Sequence, residues 1–182
     1  MRRIHRCLGL ALLALALVSC HQRTDKDKGG VLLTISSFDG LAPRVSVNQA
    51  GGIVQLGRIT LENFPKDPAA ATSNLEDIEL RSFEVVYTRA DAGTRVPPAR
   101  VRGFLGNVPV NGNDIVVNLD ILGVDQFANP PLSDLLFENG GFDKETGARS
   151  VQLNLALRFF GRTISGDTIA SNTARMTIEF VP

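Results

Sequence analysis

The side chains that most often carry out nucleophilic or metal-dependent chemistry are scarce in this chain. It contains two His and two Cys, and all four lie within the first 21 residues. A Ser-His-Asp or Cys-His arrangement needs an imidazole held by a folded scaffold, and zinc, copper and haem sites rely on His or Cys ligands. We therefore assign no catalytic residue, no metal ligand and no cofactor, and expect that the protein is not an enzyme.

Carboxylates remain as candidates for acid–base or calcium chemistry. Glu76, Asp77 and Glu79 lie at the beginning of a predicted strand, where solvated charges are the ordinary expectation. Asp143 and Glu145 occur in Asp-Lys-Glu-Thr-Gly, which could offer oxygens to Ca²⁺ but lacks the regular alternating spacing of calcium loops. A hydrolase that uses two carboxylates alone is the least favoured of three functional hypotheses.

Three arginines are close in sequence, next to a Pro-Pro pair. Arg95, Arg100 and Arg102 form a local basic cluster there. One interpretation is contact with an anionic partner such as a lipid headgroup or a polysaccharide. The other is that these arginines protect an edge strand or pair with nearby acids.

Three phenylalanines lie in loop-like sequence and are the apolar candidates for a contact surface. Phe127, Phe137 and Phe142 all occur in the long connection over residues 123–148. Long connections normally pack on something, so these rings either cap the core or form an exposed patch.

The elements that must position these residues follow a period of two. The clearest case is Val151–Phe159, where apolar residues alternate with mostly polar ones, as in a half-buried strand. The pattern returns over residues 169–181, and the turn-rich stretch between the two segments favours a hairpin or a close pair. Earlier strands are predicted over residues 31–38, 52–61, 78–89, 100–105 and 115–122.

One stretch has helical spacing. Leu132, Leu135 and Leu136 are separated by three and four residues, with Ser133 as an N-cap candidate and Gly140 as a stop. The helix would have at most two turns, and we expect it to plug one end of the sheets.

The succession of seven or so short strands predicts an all-β protein. Over residues 31–182 the pattern resembles immunoglobulin and fibronectin type III modules, which implies an antiparallel β-sandwich of about seven to eight strands. No Trp is present, and the single Tyr, Tyr87, lies in mid-strand rather than at a tyrosine corner. A small β-barrel is the alternative, because periodicity does not distinguish a closed sheet from two packed ones.

The N-terminus has the order of a secretory signal. Arg2, Arg3 and Arg6 precede an apolar run that is too short to span a membrane as a helix. The run ends in Leu-Val-Ser-Cys, which closely resembles the lipobox of bacterial lipoproteins. The resemblance implies cleavage before Cys20, a diacylglycerol on its sulfur and an acyl chain on its amine. By resemblance to enterobacterial sorting, His21 in place of Asp favours the outer membrane.

These patterns divide the chain into three parts. Residues 1–19 form the signal peptide with its helix, residues 20–30 form a polar flexible tether, and residues 31–182 form the β-domain. Ten extended residues reach at most about 33–36 Å, so the domain stays close to its membrane. Several acyl chains anchor a protein stably without spanning the bilayer.

Charge excludes one further class of function. From Cys20 onward the chain has 16 Lys and Arg against 19 Asp and Glu, so it is not expected to bind nucleic acid. The leading hypothesis is a lipid-anchored, non-catalytic module of the bacterial envelope that binds another envelope component, with a protein as the expected partner. The second hypothesis is a carrier or chaperone for a hydrophobic ligand held between the sheets.

Overall fold

The computed structural model of the protein describes residues 29–182. The predicted signal peptide, Cys20 and most of the tether lie outside the described residues. The described chain forms nine strands: β1 Val31–Asp39, β2 Arg44–Ser46, β3 Val54–Pro65, β4 Ile78–Arg89, β5 Arg100–Val108, β6 Gly112–Leu122, β7 Val151–Thr163, β8 Thr168–Ala170 and β9 Ala174–Val181.

The strands form two sheets that pack face to face. The smaller sheet has the order β1-β3-β6, and the larger has the order β2-β9-β7-β4-β5, with β8 paired to β7. All pairs are antiparallel except β2 with β9, which is parallel. The chain crosses between the sheets after β1, β2, β3, β5 and β6, and such crossovers are typical of immunoglobulin-like sandwiches. The predicted all-β sandwich is confirmed, and the sheets do not close into the alternative barrel.

Strand number and continuity differ from the prediction. Nine strands replace the expected seven to eight, because the three-residue β2 was not foreseen and the segment over 169–181 is divided into β8 and β9. The break follows Ala170, where Ser171 and Asn172 turn their side chains to hydrogen bonds instead of continuing the alternation. Asn172 binds both the N–H and the carbonyl of Ile35 in the other sheet, at 2.7 and 3.2 Å.

The core lies between the inner faces of the two sheets. The alternating residues of β7 point inward as predicted, and Leu153, Leu157 and Phe159 are fully buried. Phe159 also contacts the rings of Phe83 and Phe104 at centroid distances of 6.0 and 5.6 Å. Each large apolar side chain removed from water contributes about 1.5–3 kcal/mol to folding. This packing holds the sandwich together within the described residues without a disulfide.

The outer strands are irregular at their edges. Against their neighbours, β1, β5 and β6 each contain one extra residue, at Ser36, within Phe104–Leu105 and at Ile121. The remaining edge strands, β2 and β8, have three residues each. Bulges and short edges hinder pairing with another chain, because they interrupt the row of free N–H and C=O groups.

The sandwich has two distinct ends. At the N-terminal end, β1 begins beside the end of β3, and the carbonyl of Gly30 accepts a hydrogen bond from Lys66 N at 2.8 Å. The connection between β6 and β7 lies at the other end, which we call the far end. Strand β4 runs between the two ends over 12 residues, which corresponds to roughly 40 Å.

The far-end connection contains three short helical turns. These are helix α1 over Val124–Phe127 and 3₁₀ turns over Ser133–Leu135 and Phe137–Asn139. The predicted two-turn helix is thus replaced by separate turns, the last of which ends at Gly140 with φ +111°. Leu132 and Leu135 are fully buried, so this segment does plug one end of the sheets.

Candidate functional site

A network of buried ion pairs fixes the far-end connection to the sandwich. Arg89, at the end of β4, donates from Nη2 to Asp143 Oδ2 at 2.9 Å. Arg95, in the β4–β5 loop, donates from Nη2 to Asp143 Oδ1 at 3.0 Å and to Asp134 Oδ2 at 2.7 Å. The side chains of Asp143 and Arg89 are 0% and 3% exposed. Buried charges are tolerated only when they are paired in this way.

Further acids complete the network. Asp91 accepts from Arg89 Nε at 2.6 Å and also caps the N–H of Gly93. Glu145 accepts from the backbone N–H groups of Thr94 and Arg95 at 2.9 and 3.0 Å. The β4–β5 loop and the far-end connection are therefore joined by hydrogen bonds from side chains and from backbone.

These contacts keep the acids ionised. Burial by itself would raise the pKa of Asp143, but hydrogen bonds from Arg89 and Thr146 outweigh burial and hold its pKa well below the usual range. Hydrogen bonds from Arg95 N and from Thr94 lower the pKa of Glu145 to about 2. A general acid at neutral pH needs a raised pKa. The network therefore holds the far-end connection against the sandwich, and its acids are not suited to donate a proton.

The same geometry bears on the calcium hypothesis. Both oxygens of Asp143 face guanidinium groups, so a divalent cation at this position would meet two positive charges. Within residues 29–182, no group of three or more His, Cys, Asp or Glu side chains is placed to hold a metal ion.

The carboxylates at the beginning of β4 do not converge. Glu76 accepts from the N–H of Ser73 at 3.1 Å, and Asp77 accepts from the N–H of Val110 at 2.8 Å. The side chain of Glu79 is more than half exposed and pairs with Arg81. Two of these acids fix turns and one is a surface charge, so the structure does not bring them together as a catalytic pair.

The predicted basic cluster is not a free patch, which corrects one expectation. Arg100 is only 8% exposed and donates from Nε to the carbonyl of Asp120 at 2.9 Å. Arg102 lies 3.3 Å from Asp125 at the surface, and Arg95 belongs to the buried network. These arginines pair with acids or carbonyls of their own chain, as the second interpretation predicted.

The three phenylalanines divide into two groups, which corrects a second expectation. Phe127 is 6% exposed and packs edge-on against Phe180 at a centroid distance of 6.2 Å, so it belongs to the core and not to a contact surface. Phe137 and Phe142 are 72% and 41% exposed. Phe127 therefore caps the core, whereas Phe137 and Phe142 are exposed.

Phe137 and Phe142 lie close together at a glycine turn. Gly140 and Gly141 both have positive φ, +111° and +72°, which brings the chain back sharply after the last 3₁₀ turn. A Cβ at Gly140 would lie 2.9 Å from the ring of Phe142, and one at Gly141 would lie 3.7 Å from Phe137 and 3.9 Å from Pro182. We call Phe137, Phe142 and Pro182 the far-end patch.

A buried hydrogen bond between the two sheets was not predicted from the sequence. The hydroxyl of Tyr87 in β4 donates to the carbonyl of Ile121 in β6 at 2.6 Å, joining the two sheets. Burial raises the pKa of Tyr87, so its hydroxyl stays protonated and remains a donor. The only local signal was a lone Tyr at an inward-facing position of a strand, where its hydroxyl needs a partner.

Comparisons with known proteins complete the description of the site. No protein-family model, no curated protein and no solved structure matched this chain. None of the helices within residues 29–182 is long and apolar enough to cross a membrane.

Proposed function

We propose that the protein is a lipid-anchored, non-catalytic binding module of the bacterial envelope, anchored at the outer membrane. Cys20 would carry the lipid, and the far-end patch would contact a protein partner. One observation carries the proposal: the chain enters the sandwich at one end, and the exposed Phe137 and Phe142 lie at the other. An anchor at residue 20 would therefore place the patch away from the membrane surface.

The buried network supports this assignment. Binding loops work best when they are held rigidly before the partner arrives, because ordering on binding costs affinity. Asp143 and Asp134 bind two arginines of the sandwich, and Phe137 and Phe142 of the patch lie between these two acids in sequence. Exposed aromatic side chains on a rigid support are typical of protein contact surfaces.

The carrier hypothesis has less support. It requires a ligand-sized space between the sheets, but the inner faces are filled by core side chains such as Leu56, Ile59 and Phe159, all 0% exposed. The enzyme hypothesis is disfavoured by acids whose pKa values are lowered rather than raised.

Two experiments test the two halves of the proposal. Radiolabelled palmitate should label the wild type and not Cys20→Ser, and the variant should move from the membrane to the soluble fraction. Equal labelling of the two proteins would refute the anchor.

For the patch, a photocrosslinking amino acid is placed at Phe137 or Phe142 in cells. The matched control position is Ile164, which is 50% exposed at the N-terminal end. We expect one protein adduct from the patch positions that is competed by excess unmodified protein and is absent at the control position. The same adducts from all three positions, or none from the patch, would refute the assignment of the far end.

A further inference from the structure

The outer face of the larger sheet contains a hollow of about 500 Å³, a volume within the usual range for small-ligand sites. It lies over β4, β7 and β9, on the face of the sheet that points away from the core. Two cross-strand rows of outward-facing side chains line it: Val86, Ala156 and Arg175 in one row, and Thr88, Asn154 and Thr177 in the next.

The hollow exists because the middle position of the first row is small. Ala156 on the central strand β7 is flanked by Val86 on β4 and by Arg175 on β9. The valine and the alanine form an apolar floor and wall, and the arginine forms the opposite wall. A larger residue at position 156 would fill the space.

The charge of Arg175 is not neutralised. Among residues 29–182, it makes no ion pair, whereas Glu179 on the same strand pairs with Arg44 at 3.5 Å. The described chain has 13 Lys and Arg against 17 Asp and Glu. An unpaired guanidinium inside a hollow of an acidic domain is electrostatically complementary to a single negative charge.

Neutral donors adjoin the guanidinium. Thr177 Oγ1 donates to Asn154 Oδ1 at 2.7 Å, which fixes the orientation of the amide. In the described part of the chain, the Asn154 NH₂ group and the Thr88 hydroxyl have no hydrogen-bond partner, so both are available to a ligand. Together these groups can bind a carboxylate and the amide group next to it.

We propose that this hollow binds the C-terminal carboxylate of a short peptide whose last residue is small and apolar. Arg175 holds the carboxylate through two parallel hydrogen bonds, Asn154 and Thr88 bind the neighbouring peptide group, and the last side chain lies on Val86 and Ala156. One arginine matches the single charge of a carboxylate, whereas a phosphate dianion needs more positive charge than this face supplies. The inference is independent of the proposed anchor and of the far-end patch.

The test uses the full chain in mild detergent and the peptide N-acetyl-Ala-Ala-Ala, with its C-terminal amide as the matched ligand. Calorimetry and chemical-shift titration measure the dissociation constants. We expect the acid to bind at least about tenfold more tightly than the amide, which is the ratio for one charge-assisted hydrogen-bond pair. Arg175→Gln should weaken binding of the acid by a similar factor, and Ala156→Leu should abolish it.

Arg158→Gln is the control variant. Arg158 lies on the same face, but its guanidinium is stacked over Phe160 at 5.5 Å, and we expect its loss to change affinity by less than about twofold. Equal affinity for acid and amide, unchanged affinity in Arg175→Gln, or no saturable binding at millimolar peptide would each overturn the proposal. Tighter binding of inorganic phosphate would overturn the choice of a carboxylate. Circular dichroism checks folding, and Arg175→Lys, with an intermediate expected affinity, replaces any variant that does not fold.

Discussion

Replacing Asp143 by Asn tests whether the buried network braces the far-end connection. The wild-type carboxylate accepts four hydrogen bonds: from Arg89 at 2.9 Å, from Arg95 at 3.0 Å, from the Thr146 hydroxyl at 2.7 Å and from the N–H of Glu145 at 3.1 Å. Asn preserves the shape and one oxygen, but it removes the charge and turns an NH₂ group toward one of these donors.

The expected loss of unfolding free energy depends on which acids Arg89 and Arg95 still contact in the variant. Removing one partner of a buried ion pair costs about 3–5 kcal/mol, because the other charge remains buried. Arg89 keeps Asp91 at 2.6 Å, and Arg95 keeps Asp134 at 2.7 Å. The loss should therefore lie at the lower limit, about 3 kcal/mol. For a domain of this size, this corresponds to a decrease in melting temperature of about 6–12 °C.

Urea unfolding followed by circular dichroism measures this change, with Asp125→Asn as the control. Asp125 is 70% exposed and pairs with Arg102 at the surface, so its replacement should cost less than about 1 kcal/mol. Faster hydrogen exchange over residues 133–148 is expected in Asp143→Asn alone. A free energy of unfolding within about 1 kcal/mol of the wild type, with unchanged exchange, would refute the bracing role.

Three further predictions follow from the structure. Because the folded-state pKa of Glu145 is lowered to about 2 and that of Asp143 is also lowered, their contribution to stability is complete above the unfolded carboxyl pKa of about 4. The free energy of unfolding should therefore decrease as the pH falls from about 4 to 2, and a flat urea midpoint over that range would contradict the assignment. Tyr87→Phe should cost about 1–2 kcal/mol in urea unfolding, because it leaves a buried carbonyl of β6 without its donor; a neutral result would contradict this. Phe127→Ala should cost about 3–5 kcal/mol while Phe137→Ala costs less than about 0.5 kcal/mol, and equal losses would show that the two rings are not buried differently.

The strands could be predicted from the sequence where one face is buried. An alternation of apolar and polar residues shows which face of a strand is buried. The strand predicted over residues 78–89 has the bounds of β4 in the structure. Strand β7 continues to Thr163, four residues beyond the predicted alternation. Strand β2 has three residues and exists through its parallel pairing with β9. Such a strand has no period of its own, so local sequence does not reveal it.

The site was less predictable than the fold, for a related reason. Loops have no periodicity, and whether a loop side chain is buried depends on what it meets from distant parts of the chain. Phe127 meets Phe180, and Asp143 meets Arg89. Phe137 meets no comparable partner and remains exposed. The sequence identified these residues as candidates but contained no signal that separated the core ring from the exposed one.

The edges of the sheets restrict where this domain can bind a partner. In the described chain, three of the five edge strands contain a bulge and the other two, β2 and β8, have three residues each, so addition of a partner strand would meet an interrupted row of hydrogen-bonding groups. Loops and sheet faces do not have this obstacle. The far-end patch belongs to a loop region and the hollow around Arg175 lies on a sheet face, so the two are on separate surfaces. A protein contact and a peptide carboxylate can therefore be tested by single substitutions that do not affect each other.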